Sequence, residues 1–172
     1  MTYLVLVGSR GAGKSAAGAA AADRLGVPFI DTDQQVEARA GRTIPEIFAA
    51  AGEAAFRELE AAVIADLPGS GTGVIATGGG AVLRPASRLR LAALGPVVYL
   101  HARPERLAER VAASDRPRLG ADAPLAEARR LLAQRDALYR ELAVEIVESG
   151  EVPLEDTVAA LVAIHRARVG NR

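Results

Sequence analysis

An apolar run, Tyr3–Val7, ends in Gly8-Ser9-Arg10-Gly11-Ala12-Gly13-Lys14-Ser15 and leads directly into a helix-forming stretch, Lys14–Leu25. The octet fits the pattern G-x-x-x-x-G-K-S, and it has the two neighbours that give the pattern meaning, a strand before it and a helix after it. Gly8, Gly11 and Gly13 permit backbone conformations and close approaches that side chains forbid, so successive N–H groups turn inward around a phosphate. The helix N-terminus adds its partial positive charge. The segment therefore predicts a nucleoside triphosphate site built from Gly11, Ala12, Gly13, Lys14, Ser15 and Ala16. Lys14 would reach the β and γ phosphates of ATP, and the Ser15 hydroxyl would ligate Mg2+. A glycine-rich turn without a ligand is the competing reading, but it leaves one fact unexplained. The chain carries 21 basic residues, and Lys14 is the single lysine among them. Codon bias accounts for an excess of arginine, not for the one exception.

The remaining chain alternates apolar runs with helical stretches. Val27–Ile30, Val74–Thr77, Val97–Leu100 and Val144–Val147 read as further strands, buried on both faces as parallel strands are. Helical patterns cover Lys14–Leu25, Glu53–Leu67, Pro85–Ala93, Pro104–Ala113, Leu125–Leu142 and Leu154–Arg168. This order predicts an α/β fold, a five-stranded parallel sheet flanked by helices on both faces. With 172 residues the chain suits a single domain, residues 1–172. Two segments break the alternation. Residues 33–61 hold more helix than a minimal crossover needs, with Gly41 and Gly52 as punctuation, and read as an insertion beside the second strand. Residues 113–124, with Ser-Asp-Arg-Pro-Arg-Leu-Gly at their centre, are too long and polar for a simple helix connection. They read equally as a lid or as a solvated loop.

Composition narrows the function. Formal net charge is zero, 50% of residues are hydrophobic and 24% are charged, which argues against disorder and against a nucleic-acid-binding surface. No Cys is present, so a disulfide framework and Cys-ligated metals are excluded, and two His do not make a metal centre. Met1–Val7 is too short for a secretory apolar region, and no apolar run approaches the roughly 20 residues of a bilayer span. The expectation is a soluble cytoplasmic protein, monomeric, without nucleic-acid or membrane partners.

Beyond the phosphate cradle, four features carry chemistry. Asp31-Thr32-Asp33 lies at the carboxyl end of the second strand, where ligands of open α/β sheets bind. Without the phosphate loop upstream, helix capping would be the favoured reading of an Asp there. Thr77-Gly78-Gly79-Gly80 follows the third strand and reads either as a loose turn or as bare backbone facing a ligand. Arg135 falls on the apolar stripe of Leu131, Leu138 and Leu142, where a leucine belongs. It either snorkels to the surface or grips an anion in a polar pocket. Arg57, at the margin of the stripe of Phe56, Leu59 and Val63, poses the same choice, with Glu53 and Glu60 in pairing range. Arg116 sits in the lid segment before Pro117.

Taken in order, GSRGAGKS, DTD, AFRELE, TGGG, a lid with DRP, and QRDALYR on a late helix resemble shikimate kinase, from Leu4 to about Val162. The resemblance implies a three-layer P-loop kinase fold and transfer of the γ-phosphoryl group of ATP to the 3-hydroxyl of shikimate, a step of aromatic amino acid biosynthesis. It assigns the ring hydroxyls and the attacking oxygen to Asp33, and the Mg2+ shell, through water, to Asp31. The substrate carboxylate goes to Arg57 and Arg135, beside Gly78, Gly79 and Gly80. Arg116 would close over the phosphates and Arg110 would stack on adenine. The chain departs from the family pattern at Arg118, an extra cation in the lid, at Ala16, which lacks a hydroxyl, and at Ser149–Pro153, which holds no arginine. Two rivals remain: a kinase of the same build acting on gluconate or a nucleoside monophosphate, and a regulatory module that binds ATP without turnover.

Overall fold

The computed structural model describes residues 2–113 and 123–169. Its strands are β1 (Tyr3–Val7), β2 (Phe29–Asp31), β3 (Gly73–Ala76), β4 (Val97–His101) and β5 (Glu145–Glu148). Its helices are α1 (Lys14–Leu25), α2 (Thr32–Ala40), α3 (Ile44–Ala65), α4 (Pro85–Leu94), α5 (Pro104–Ala112), α6 (Pro124–Leu142) and α7 (Leu154–Arg168). The strands form one parallel sheet in the order β2-β3-β1-β4-β5. The chain order reverses beside β1, and ligands of open parallel sheets bind at such a crevice.

Alternation along β1 divides the core. Leu4 and Leu6 point into a cluster with Ala17 and Ala21 of α1, Leu107 of α5 and Leu161 of α7. Tyr3, Val5 and Val7 point the other way, toward Ile64 of α3, Leu91 of α4 and Tyr139 of α6. Every residue of β1 is buried, as the sequence predicts. The outermost strands differ: β5 is only half-buried and exposes Ile146, because an edge strand lacks a neighbour on one side. Gly18 lets α1 lie close on the sheet, since a Cβ there would stand 2.8 Å from the Phe29 ring.

The insertion is a helical pair with its own small core of Val36, Ile47, Phe56 and Val63. α2 was not evident from periodicity. α3 starts earlier than the stripe at Phe56 indicates and ends at Ala65, two residues short of the expected Leu67. Gly52 interrupts the helical geometry with φ 76° and ψ 179°, so the break read at that glycine is real although helix continues on both sides. A capping box of Thr43 and Glu46 starts α3. Among the described residues, no helix is long and apolar enough to cross a membrane and no group of His, Cys, Asp and Glu forms a metal cluster. The lid expectation falls mostly on residues 114–122, which lie outside the described residues, as do Arg116 and Arg118.

Candidate active site

The carboxyl ends of β1, β2 and β3 open into a cavity of about 1210 Å³. Of the residues singled out by sequence, Gly11, Gly13, Lys14, Ser15, Ala16, Asp31, Asp33, Arg57, Gly78, Gly79, Gly80, Arg110 and Arg135 all line it. Ala12 instead tucks its side chain into the core and borders a second cavity of about 270 Å³, shared with Arg110, Ser149 and Thr157.

The cradle at its floor is preformed. Gly11 and Gly13 adopt φ of 86° and 85°, values that only glycine takes readily. Lys14 is buried and donates to the Gly8 and Ser9 carbonyls at 2.8 and 2.9 Å, so its ammonium holds the loop in shape. Arg110 donates to the Ser149 carbonyl at 2.7 Å and to the Gly11 carbonyl at 3.4 Å, and Arg106 to the Gly150 carbonyl at 3.1 Å. The loop at 149–153 lacks an arginine of its own, and α5 reaches it with two.

Asp31 reconciles its two readings by dividing its oxygens. Oδ1 caps α2, accepting from the Asp33 N–H at 2.9 Å and the Gln34 N–H at 3.4 Å. Oδ2 accepts from the Ser15 hydroxyl at 2.6 Å. A carboxylate oxygen and a hydroxyl oxygen thus meet at the mouth of the cradle, and hard oxygen donors of this kind suit Mg2+.

The glycine triplet is not a loose turn. None of its members needs a left-handed backbone; side chains and backbone of the site crowd all three. A Cβ on Gly78 would stand 2.5 Å from Glu60 Oε1 and 2.6 Å from Asp33 Oδ1. On Gly79 it would meet the Arg10 backbone nitrogen at 3.2 Å and Arg135 Nη1 at 3.7 Å, and on Gly80 it would overlap the Arg57 guanidinium. Asp33, Arg57 and Arg135 therefore converge on three consecutive α-carbons. The Gly78 N–H is already committed to the Thr32 hydroxyl at 3.0 Å, so it is not the bare donor that three glycines suggest.

Both arginines are held inward. Arg135 is 6% exposed and does not snorkel; its Nε has no hydrogen-bond partner. Arg57 pairs with Glu60 at 2.8 Å and with Glu53 at 3.0 Å, as their helical spacing allows. From the sequence Glu60 is only a possible partner for Arg57, yet it is 3% exposed inside the site, with Oε1 unpartnered. The signal was present: Glu60 lies on the stripe of Phe56 and Val63, a charge on an apolar face just as Arg135 is. Burial pushes the Glu60 carboxyl upward and Asp33 adds to the rise, against the pull of Arg57 and Arg135.

The profile of the shikimate kinase family matches residues 10–165. A shikimate kinase of Halorhodospira halophila is 50% identical over 147 residues, 85% of this chain and 83% of that protein. One of Pseudomonas syringae pv. tomato is 46% identical over 164 residues, 95% of each chain. The solved shikimate kinase from Acinetobacter baumannii in complex with shikimate matches with a TM-score of 0.90 at 36% identity, over 97% of this chain and 94% of that one. A gluconokinase from Sinorhizobium meliloti 1021, at 23% identity and a TM-score of 0.57, shares the fold alone.

Proposed function

The chain belongs to the shikimate kinase family, and from that premise we propose that it transfers the γ-phosphoryl group of ATP to the 3-hydroxyl of shikimate, releasing ADP. The observation that carries this reading is the convergence of one carboxylate, Asp33, and two guanidinium groups, Arg57 and Arg135, on the glycine triplet beside the phosphate cradle. A polyhydroxylated carboxylic acid offers hydroxyls for the first and one anion for the other two.

In this reading Asp33 orients the attacking hydroxyl and accepts its proton, while Arg57 and Arg135 hold the carboxylate. Glu60 keeps Arg57 in place through their 2.8 Å pair. Lys14 exchanges its two carbonyl partners for phosphate oxygens, assisted by N–H groups of Gly11, Gly13, Lys14 and Ser15. Ser15 and Asp31 would hold Mg2+, the latter through water; the ion, when bound, neutralises charge on the β and γ phosphates. Phosphoryl transfer passes through a loose transition state, so alignment and charge compensation are the protein's main contributions. Arg110 borders the second cavity, which supports its assignment to the adenine side. Arg116 completes the phosphate clamp on the strength of the sequence pattern.

A coupled ADP-release assay tests the reading. Release is expected to depend on shikimate and to stay at background with gluconate or with no acceptor. Gluconate-dependent release would identify the rival kinase, and ATP binding without release a sensor. Gly80→Ala probes the pocket: the added methyl would displace the Arg57 guanidinium from Glu60. Losing a charged hydrogen bond is worth about 1.5–3 kcal/mol, so KM for shikimate should rise by roughly tenfold or more. KM for ATP should stay put, and a parallel rise in both would refute the assignment.

A further inference from the structure

One group against the pocket has no part in the chemistry above. Tyr139 is 0% exposed and sits on α6 one turn beyond Arg135. Its hydroxyl donates to the Gly79 carbonyl at 2.5 Å, and Ser9 of the cradle and Arg135 face the same oxygen. Behind it Tyr99 packs ring against ring, centroids 4.9 Å apart, and ties its own hydroxyl to Asp136 at 2.9 Å. Burial pushes the Tyr139 phenol up, so it remains a donor throughout the working pH range. A phenylalanine would fill the same space. The oxygen alone reaches the glycine triplet.

A trans peptide carries its C=O and N–H on opposite sides, and no cis peptide occurs among the described residues. Tyr139 grips the Gly79 carbonyl from the core, so the N–H of the same peptide, that of Gly80, points away from the core. Arg57 lies against Gly80 and Arg135 against Gly79. We infer that Tyr139 is a positioning residue: its hydroxyl fixes the Gly79–Gly80 peptide so that the Gly80 N–H joins Arg57 and Arg135 in holding the acceptor's carboxylate. This inference rests on the shikimate kinase reading.

Tyr139→Phe removes one oxygen and keeps the ring. In the coupled assay KM for shikimate is expected to rise about tenfold, with kcat and KM for ATP within about twofold, a loss the size of one charge-assisted hydrogen bond. With an acceptor bearing a hydroxymethyl group in place of the carboxylate, the penalty in kcat/KM should vanish. Tyr99→Phe removes a phenol hydrogen bond from the same stack without touching the glycines, and should leave KM for shikimate unchanged. The inference fails if KM does not move in Tyr139→Phe, if the hydroxymethyl acceptor suffers equally, if KM for ATP moves alike, or if Tyr99→Phe has the same effect. A further readout needs no variant: the Gly80 amide should exchange with solvent at least tenfold more slowly when shikimate saturates the enzyme, and an unaltered rate overturns the inference. Shikimate-dependent ADP release by the unsubstituted enzyme is measured first, so a wrong substrate is seen separately from a wrong role for Tyr139.

Discussion

With Asn at position 33 the enzyme should bind ATP as before and turn over about 10³-fold more slowly, within the range that removal of a general base produces. Asn has nearly the shape of Asp but neither its charge nor its capacity to take a proton. The cap of α2 survives the substitution, because Asp31 makes it: its Oδ1 accepts from the Asp33 N–H at 2.9 Å. Thermal stability should therefore change little, and loss of activity cannot be blamed on a frayed helix. The carboxylate's own surroundings make it specific: Oδ1 lies against the α-carbon of Gly78, where an added Cβ would stand 2.6 Å from it and force it to shift. A factor of 10³ corresponds to about 4 kcal/mol of transition-state stabilisation. The measurement pairs kcat from the coupled assay with ATP affinity by calorimetry. A kcat within tenfold of the unsubstituted enzyme would remove Asp33 from the proton transfer, and a matching loss of ATP affinity would recast it as part of the nucleotide site.

What the sequence makes legible is written locally; α2, the reason for the glycine triplet and the role of Tyr139 depend on contacts distant in the chain. The phosphate cradle is a contiguous motif, and both α1 and α7 begin and end where the pattern predicts, because their buried stripes, and for α1 the left-handed Gly26 that ends it, are written in the local sequence. α2 carries no such stripe. Its buried residues are Thr32 and Val36 alone, and tethers outside its periodicity hold it: the Asp31 cap, and Glu37 accepting from the Ile44 N–H at 2.9 Å. The glycine triplet was recognisable as unusual, but its reason was not. Only the folded chain reveals that the missing side chains make room for Asp33, Glu60, Arg135 and Arg57. Tyr139 was invisible for the opposite cause. A tyrosine beside Leu138 and Leu142 reads as core, and core it is; the hydrogen bond to Gly79 comes from a partner 60 positions away.

Arg135→Met separates what a residue does for stability from what it does for function, and the two are expected to move in opposite directions. The position belongs to a stripe on which Leu138 and Leu142 pack against the core cluster that contains Tyr139. Stripping water from a guanidinium there is costly, and its Nε recovers no hydrogen bond. Methionine fills a similar volume with no charge to desolvate, and Glu60 keeps its 2.8 Å partner Arg57 in the variant. The melting temperature should therefore hold or rise. Activity should collapse: removing one side of a desolvated arginine–carboxylate pair typically costs 3–5 kcal/mol, so kcat/KM for shikimate should fall by roughly 10³-fold while ATP still binds. Arg135→Lys, which keeps the charge but loses the planar fork, should fall between the two. If the arginine were a structural strut, Met would lower the melting temperature, and the surviving folded fraction would turn over normally. Calorimetric melting and single-substrate kinetics on the same preparation distinguish these outcomes, because only a functional arginine lets the enzyme lose its acceptor without losing its fold.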